Sequence, residues 1–142
     1  MVNSTWSFTI THHQKDNSWA STDISADSFP RYFTDTGGDR VNAAKIRIIA
    51  VDGQYIQSNI NSKPQIKHND RVRIVATDGA GGTYNRVFDV IKIIPIKSKT
   101  EGVMVELELL GIERWLQKCN YSTRVFAQTP WDIFNDLVNT YL

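Results

Sequence analysis

The segment RVRIVATDGAGGTYNRVFDVIKIIPI, residues 71–96, constrains the fold more than any other part of the sequence. Its two flanks are rich in β-branched and aromatic residues, a composition typical of β-strands. Between the flanks stand Gly79, Gly81 and Gly82. Because glycine adopts positive φ values without strain, this spacing predicts a hairpin turn at residues 78–83.

A phosphate-binding loop is the functional alternative for these glycines. Such a loop needs a helix N-terminus directly after the glycines and a spacing such as GxGxxG or GxxxxGK[ST]. Neither spacing occurs here, and the segment that follows has strand composition up to Pro95. We therefore predict a hairpin that binds no phosphate.

Composition limits the class of protein. With 142 residues, the chain is long enough for one domain with its own core. The 16 basic and 15 acidic residues nearly cancel, whereas dedicated nucleic-acid-binding proteins usually carry a basic excess. Cys119 is the only cysteine, so no internal disulfide can form. No apolar run approaches the ~18–20 residues of a membrane span, and the N-terminal residues lack a signal-peptide pattern.

Alternating apolar and polar residues predict further strands on both sides of the hairpin. Weaker, strand-like pieces surround Ile24 and Tyr32, and Asp52-Gly53 predicts a turn into the short piece QYIQ. The alternation is clearest in residues 4–11, 43–51 and 103–110. These patterns predict a mainly β fold, namely a small antiparallel β-barrel.

The strand predicted for residues 87–96 departs from simple alternation. It is apolar on both faces, and the alternation fails between Asp89 and Ile91. This failure predicts a β-bulge, and the apolar composition predicts burial on both sides of the strand. A barrel whose outer wall is covered by other protein would produce this pattern.

Two helices are predicted after the last strand. Ile112 and Trp115 have helical spacing and indicate a short helix. Thr129 is a suitable N-cap for a second helix, because Pro130 is favoured at the first helical position and Asp132 suits the first turn. The second helix carries an apolar stripe formed by Trp131, Phe134, Leu137, Val138 and Tyr141.

The predicted domain organisation is a β-barrel in residues 1–125 and a helix leading out of it in residues 126–142. This helix shows no C-cap signal before the sequence ends. We therefore expect that the chain is a piece of a longer protein or that its stripe docks on a partner.

No residue pattern predicts a catalytic, cofactor-binding or metal site. His12 and His13 are neighbours on a strand and point to opposite faces, so they are poor joint ligands, and we expect the histidines to lie at the surface. Glu106 and Glu108 share one strand face at roughly 6–7 Å, a separation near that of glycosidase carboxylates. An acidic solvent face is the commoner origin of such a pair.

Basic residues on strand faces leave a second alternative open. A small barrel with basic strands and aromatic residues can bind single-stranded nucleic acid or a small ligand. The near-zero net charge makes nucleic acid an unlikely partner and favours a solvated or partner-facing wall. The basic residues in question are Lys45, Arg47, Arg71, Arg73, Arg86 and Lys92.

The order of the strands resembles the first barrel of the baseplate-hub (late control D-like) proteins of phage tails. The resemblance covers about residues 41–138 and consists of apolar patterns with one Asp-Arg-Val motif. One departure is Asp89, which stands where the family usually has glycine. The matching residues are Ala44, Ile46, Ile48, Ile66, Asp70, Val72, Ile74, Phe88, Val90, Ile91, Ile93, Val105, Leu107, Leu109, Trp115 and Leu116.

The resemblance implies a structural protein of the virion tail tip and not an enzyme. Hub barrels of this family form trimers whose pseudo-sixfold ring joins the tail tube to the spike or tip. The implied partners are further copies of the chain and the tube, distal tail and spike proteins, without a membrane or cofactor. The predicted assembly contacts are Phe88, Ile91, Ile93, Trp131, Phe134 and Tyr141. The weaker alternative is a glycan-cleaving tail enzyme that uses Glu106 and Glu108.

Overall fold

The computed structural model describes residues 5–35, 41–99, 102–115 and 129–141. They fall into two compact units, residues 1–111 and 112–142, each of which is described by itself. The predicted boundary at residue 125 lies outside the described residues and stays a prediction. The strands are β1 (Ser7–Gln14), β2 (Ala20–Asp23), β3 (Ser28–Phe33), β4 (Ala43–Ile49), β5 (Arg71–Thr77), β6 (Thr83–Ser98) and β7 (Gly102–Gly111), and the helix is α1 (Pro130–Tyr141).

The seven strands form one antiparallel sheet in the order β2-β1-β5-β6-β7-β4-β3. The sheet curls into a half-barrel, which confirms the predicted mainly β fold. Its concave side holds the core, where alternate residues of β1, β4, β5 and β7 are buried, as the alternation in the sequence predicted. Among the fully buried side chains are Ile10, Ile46, Ile48, Ile74, Phe88, Leu107 and Leu109.

The glycine segment forms the predicted hairpin between β5 and β6. Asp78 N–H donates to the Gly82 carbonyl oxygen (3.0 Å), and Gly81 adopts a φ of 95°. The Asp78 carboxylate accepts hydrogen bonds from the N–H groups of Ala80 (3.0 Å) and Gly82 (2.6 Å). These two N–H groups are therefore already bound by an anion of the chain itself.

The bulge predicted in β6 is present. The register against β7 shifts between Val90 and Lys92. The side of β6 away from the core carries the buried Asp89 and the exposed Lys92 as well as the half-buried Ile94. The predicted apolar outer face is therefore only partly present, because Asp89 and Lys92 interrupt the apolar residues Val87, Ile94 and Ile96 on that side.

The turn predicted at Asp52-Gly53 is present, and the piece QYIQ that follows it forms further turns and no strand. The chain makes turns here, with positive φ values at Asp52 (55°) and Tyr55 (66°). The Tyr55 ring is fully buried in the core, and its hydroxyl donates to Asp27 Oδ2 at 2.5 Å. Burial and this hydrogen bond raise the pKa of Tyr55, so its hydroxyl remains a donor. A loop thus fills the core at this end of the half-barrel.

Three aromatic rings join the edge strand β3 to the other side of the curled sheet. Phe33 of β3 lies 5.9 Å from the Phe8 ring of β1 and 4.5 Å from the Tyr84 ring of β6. Tyr84 Oη–H also donates to the Thr34 carbonyl oxygen (2.9 Å). Side-chain packing therefore holds β3 against β1 and β6 without strand pairing between them.

Asp70, from the Asp-Arg-Val motif, connects β1, the turn after β1 and the loop before β5. Its Oδ2 accepts hydrogen bonds from His12 Nε2 (2.8 Å) and from Lys67 N–H (2.9 Å), and its Oδ1 accepts one from Lys15 N–H (2.9 Å). Burial raises the pKa of Asp70, but the His12 and backbone hydrogen bonds outweigh this effect and lower it. The expectation of surface histidines is wrong for His12, which is 0% exposed because it follows Ile10 on the core face.

The helix α1 begins as predicted. Thr129 Oγ1 accepts a hydrogen bond from Asp132 N–H (3.2 Å) and donates one to Asp132 Oδ2 (2.6 Å), while Thr129 N–H also donates to this carboxylate (3.1 Å). This reciprocal arrangement is a capping box, with aspartate in place of the usual glutamate. Of the other predicted helix, residues 112–115 lie among the described residues: Arg114 and Trp115 are helical, whereas Ile112 and Glu113 form a turn.

We predict that Asp70→Asn lowers the free energy of unfolding by about 3 kcal/mol at pH 7, because it removes the charged acceptor of three buried hydrogen bonds. Urea unfolding followed by circular dichroism measures this change. The exposed Asp16 provides a control, and Asp16→Asn should change stability by less than about 0.5 kcal/mol.

The effect of Asp70→Asn should also depend on pH. Because the folded-state pKa of Asp70 is lowered, its stabilisation is complete above the unfolded-state pKa of about 4 and is lost as pH falls through the folded-state pKa. The stability difference between wild type and variant should thus shrink from pH 7 to pH 3. A difference that stays constant over this range would contradict the role of the ionised carboxylate.

The hairpin yields a matched pair of glycine substitutions. Gly81 has a φ of 95°, whereas Gly79 has no positive φ, and a Cβ at either position meets no atom within 4 Å. Gly81→Ala should therefore cost about 1–2 kcal/mol through backbone strain alone, and Gly79→Ala less than about 0.5 kcal/mol. Thermal unfolding of both variants tests the turn, and equal losses would contradict it.

Candidate functional site

The outer, convex face of the sheet gathers the charged residues that the sequence placed on strands. Outward positions alternate with buried core residues, and the register sets them side by side across five neighbouring strands. We call this surface the outer face. Its polar and charged side chains are Lys45 and Arg47 of β4, Glu106 and Glu108 of β7, Asp89 and Lys92 of β6, Arg71 and Arg73 of β5, and His13 of β1.

The two glutamates of β7 are held by the two basic residues of β4. Arg47 Nε donates to Glu106 Oε2 (2.9 Å), and Lys45 Nζ lies 3.3 Å from Glu106 and 3.6 Å from Glu108. The Arg47 hydrogen bond, followed by contacts with Lys45, lowers the pKa of Glu106. A glycosidase general acid needs a raised pKa, so this environment does not suit Glu106 to that role.

Further along the outer face, a shallow cleft of about 300 Å³ is lined by His13, Trp19, Arg71, Arg73, Asn85 and Val87. We call it the Trp19 cleft. The Arg71 guanidinium carbon lies 4.4 Å from the centre of the Trp19 ring, and its Nε lies 3.4 Å from Asp89 Oδ1. Arg73 Nε donates to Asn85 Oδ1 at 3.0 Å. The cleft therefore combines an indole ring, two guanidinium groups, an imidazole and a carboxamide.

The turn between β1 and β2 positions Trp19. Ser18 and Trp19 have φ values of 50° and 60°, and Trp19 N–H donates to the Gln14 carbonyl oxygen (2.9 Å). Non-glycine residues at positive φ cost of the order of 1 kcal/mol each. This strained turn places the indole beside Arg71, where 38% of the residue remains exposed. No pattern in the sequence indicated this position, because the turn has no glycine.

A second cleft, of about 350 Å³, has a different chemistry. Amide and hydroxyl groups predominate in it, and its one basic residue, Lys67, pairs with Asp16 at 3.0 Å. It contains no aromatic residue. The lining residues are Gln14, Asn17, Thr22, Ser58, Asn59, Ser62, Pro64, Gln65 and Lys67.

The structure brings together only some of the six basic residues that the sequence grouped. Arg86 lies on the other face of β6, where its Nη2 donates to Asp35 Oδ1 (2.8 Å). Lys45 and Arg47 pair with glutamates, as described above. Arg71 and Arg73 are the two members that line a common cleft.

The residues predicted as assembly contacts differ in their burial and in the elements that carry them. Phe88 is 0% exposed in the domain core, so its prediction as a contact is wrong. Ile93 packs against the same core, and Ile91 is half-buried at the bulge. Trp131 and Phe134 stack on each other at 5.7 Å in α1 and are exposed. The side chain of Tyr141, as well as Cys119, lies outside the described residues.

A set of exposed apolar residues lies at one end of the sheet, on both of its faces, and was missed in the sequence. It consists of Ile49 (39% exposed), Val51 (51%) and Val103 (39%), which we call the end patch. Ala50 N–H donates to the Val103 carbonyl oxygen (3.0 Å), so the two chain segments are adjacent. The unbroken apolar run IIAV at the end of β4 is the signal that would have revealed it.

Searches for metal sites, membrane spans and relatives add three findings. Within residues 5–35, 41–99, 102–115 and 129–141, no group of three or more His, Cys, Asp or Glu side chains is placed to hold a metal ion. No helix in that part of the chain is long and apolar enough to cross a membrane. The sequence matches no protein-family model and no curated protein.

The paired glutamates permit a direct comparison. Glu106 is 8% exposed and bridges Arg47 and Lys45, so Glu106→Gln should lower the free energy of unfolding by about 1–3 kcal/mol. Glu108 is more exposed and has only the longer Lys45 contact, so Glu108→Gln should cost less than about 1 kcal/mol. Chemical denaturation at pH 7 measures both, and a larger loss for Glu108→Gln would contradict this assignment.

Proposed function

We propose that the chain is a structural component of a phage tail tip, a hub domain that forms a ring with copies of itself. The ring joins the tail tube to the spike or tip, and the domain acts by assembly and not by catalysis. The proposal combines the resemblance of the strand pattern with one observation of the structure, the end patch.

The end patch supports a contact with another protein. Each of its three side chains exposes more than a third of its area to solvent, although all belong to well-formed elements of the domain. Exposed apolar residues gathered at one end of a folded domain can mark a protein contact. Burying a large aliphatic side chain contributes about 1.5–3 kcal/mol, so three neighbours supply a useful share of an assembly contact.

The environment of the outer face agrees with a structural role. Glu106 is ionised and bound to two basic side chains, so it is positioned to stabilise the pairing of β4 with β7 and not to transfer a proton. The edge strands β2 and β3 leave the two ends of the sheet order available for pairing with other chains. Pro30 and the register shift next to it make β3 the less suitable edge for such pairing.

Placing a charge in the end patch tests the proposal. Val51→Lys should leave the melting temperature of the isolated domain nearly unchanged, because the side chain is already half exposed. Virions complemented with the variant should incorporate less of the protein and lose infectivity at least tenfold, since a buried lysine opposes assembly.

Ala80→Lys is the matched control, because it adds the same charge at an exposed position of the turn between β5 and β6, away from the end patch and from the edge strands. It should support normal assembly. Normal infectivity with Val51→Lys would count against the end patch as an assembly contact, and a measurable hydrolytic activity that Glu106→Gln abolishes would replace the assembly proposal altogether.

A further inference from the structure

We propose that the Trp19 cleft binds a nucleotide, either free or within a single strand, with its base stacked on Trp19 and its phosphate at Arg73. The cleft lies on β1, β5 and β6, whereas the end patch lies on β4 and β7, so this inference is independent of the assembly role. It is based on the positive charge of the cleft, the exposed indole ring of Trp19 and the volume of the cleft.

Charge distinguishes this cleft from the rest of the outer face. The carboxylates of Glu106, Glu108 and Asp35 are paired with basic residues outside it. Asp89, which does not line the cleft, lies 3.4 Å from Arg71 Nε. The hydrogen bond of Arg73 goes to a neutral carboxamide, and none of the ion pairs among the described residues includes Arg73. The cleft therefore keeps a positive charge that an anionic group can neutralise.

The indole of Trp19 provides a surface for a base. Arg71 fixes the ring by a cation–π contact at 4.4 Å, and the residue still exposes 38% of its area. Core packing does not account for this placement, because the ring is held outside the half-barrel by a strained turn. An exposed aromatic ring beside guanidinium groups is the combination with which proteins bind unstacked bases and their phosphates.

The remaining lining groups and the volume fit a single nucleotide. About 300 Å³ lies at the lower end of the range of small-molecule sites and leaves no room for a long tract. His13 and Asn85 lie on either side of the arginines and can hydrogen-bond to a base edge or a sugar. Val87 contributes an apolar wall. A site for one nucleotide is also consistent with the near-zero net charge of the whole chain.

Fluorescence anisotropy with a labelled eight-nucleotide oligothymidine, at about 50 mM salt, measures binding to a single strand. Thymidine monophosphate and inorganic phosphate serve as unlabelled competitors in the same assay. We expect a dissociation constant of roughly 10⁻⁴–10⁻⁶ M for the oligonucleotide. A contact with one or two phosphates predicts a slope of about −0.7 to −1.4 in the log–log plot against salt.

The competitors identify the source of the nucleotide. If the oligonucleotide binds at least tenfold more tightly than the monophosphate, the ligand is a single strand, and if the affinities are similar, it is a free nucleotide. Competition by inorganic phosphate at the same concentration as the monophosphate would overturn the proposal, because the base would contribute nothing. So would the lack of saturable binding of either nucleotide at millimolar concentration.

Two variants locate the site. Arg73→Gln should weaken binding about tenfold and flatten the salt slope, and Trp19→Leu should weaken binding about tenfold without changing the slope. Arg31→Gln removes the same charge from an exposed position on β3 and should change affinity less than twofold. Circular dichroism establishes that each variant is folded. Unchanged binding in folded Arg73→Gln, or an equal loss in Arg31→Gln, would overturn the assignment.

Discussion

The arrangement of this half-barrel depends on the hydrogen bonds that the buried Asp70 carboxylate accepts. It binds a side chain of β1, a backbone N–H in the turn that follows β1, and a backbone N–H in the loop before β5. A charged acceptor with three donors offsets the cost of its own desolvation. Because the turn after β1 also carries Trp19, this one carboxylate fixes both the pairing of β1 with β5 and the position of the indole on the other side of the sheet.

The two faces of the sheet differ in their side-chain chemistry. The core face is mainly apolar, with His12 and Arg86 as polar exceptions, and it is joined across the curl by the rings of Phe8, Phe33 and Tyr84. On the outer face, strand register places basic residues of β4 opposite acidic residues of β7, so most charges there are satisfied within the chain. The end patch exposes apolar side chains, and the Trp19 cleft keeps an arginine outside these ion pairs. The two proposals concern these two surfaces.

Sequence periodicity was sufficient for the strands, the hairpin, the bulge and the helix cap, because each depends on residues that are close in sequence. The expectation that His12 lies at the surface was wrong. The alternation of Phe8 and Ile10 continues to His12 and would have placed it in the core. The Trp19 cleft could not be predicted from the sequence, and the reason is physical. Trp19 and Arg73 meet only through the pairing of distant strands and through a turn with positive φ at residues other than glycine.

The turn between β5 and β6 is a glycine-rich turn whose N–H groups are not available to phosphate. Consecutive backbone N–H groups in such a turn form a concave nest that attracts an anion, and here the first residue of the turn fills the nest with its own carboxylate. Phosphate would have to compete with a tethered ligand at very high effective concentration. In this chain the residue before the glycines, Asp78, therefore occupies the position that a phosphate would need, although the glycines alone suggest an anion site.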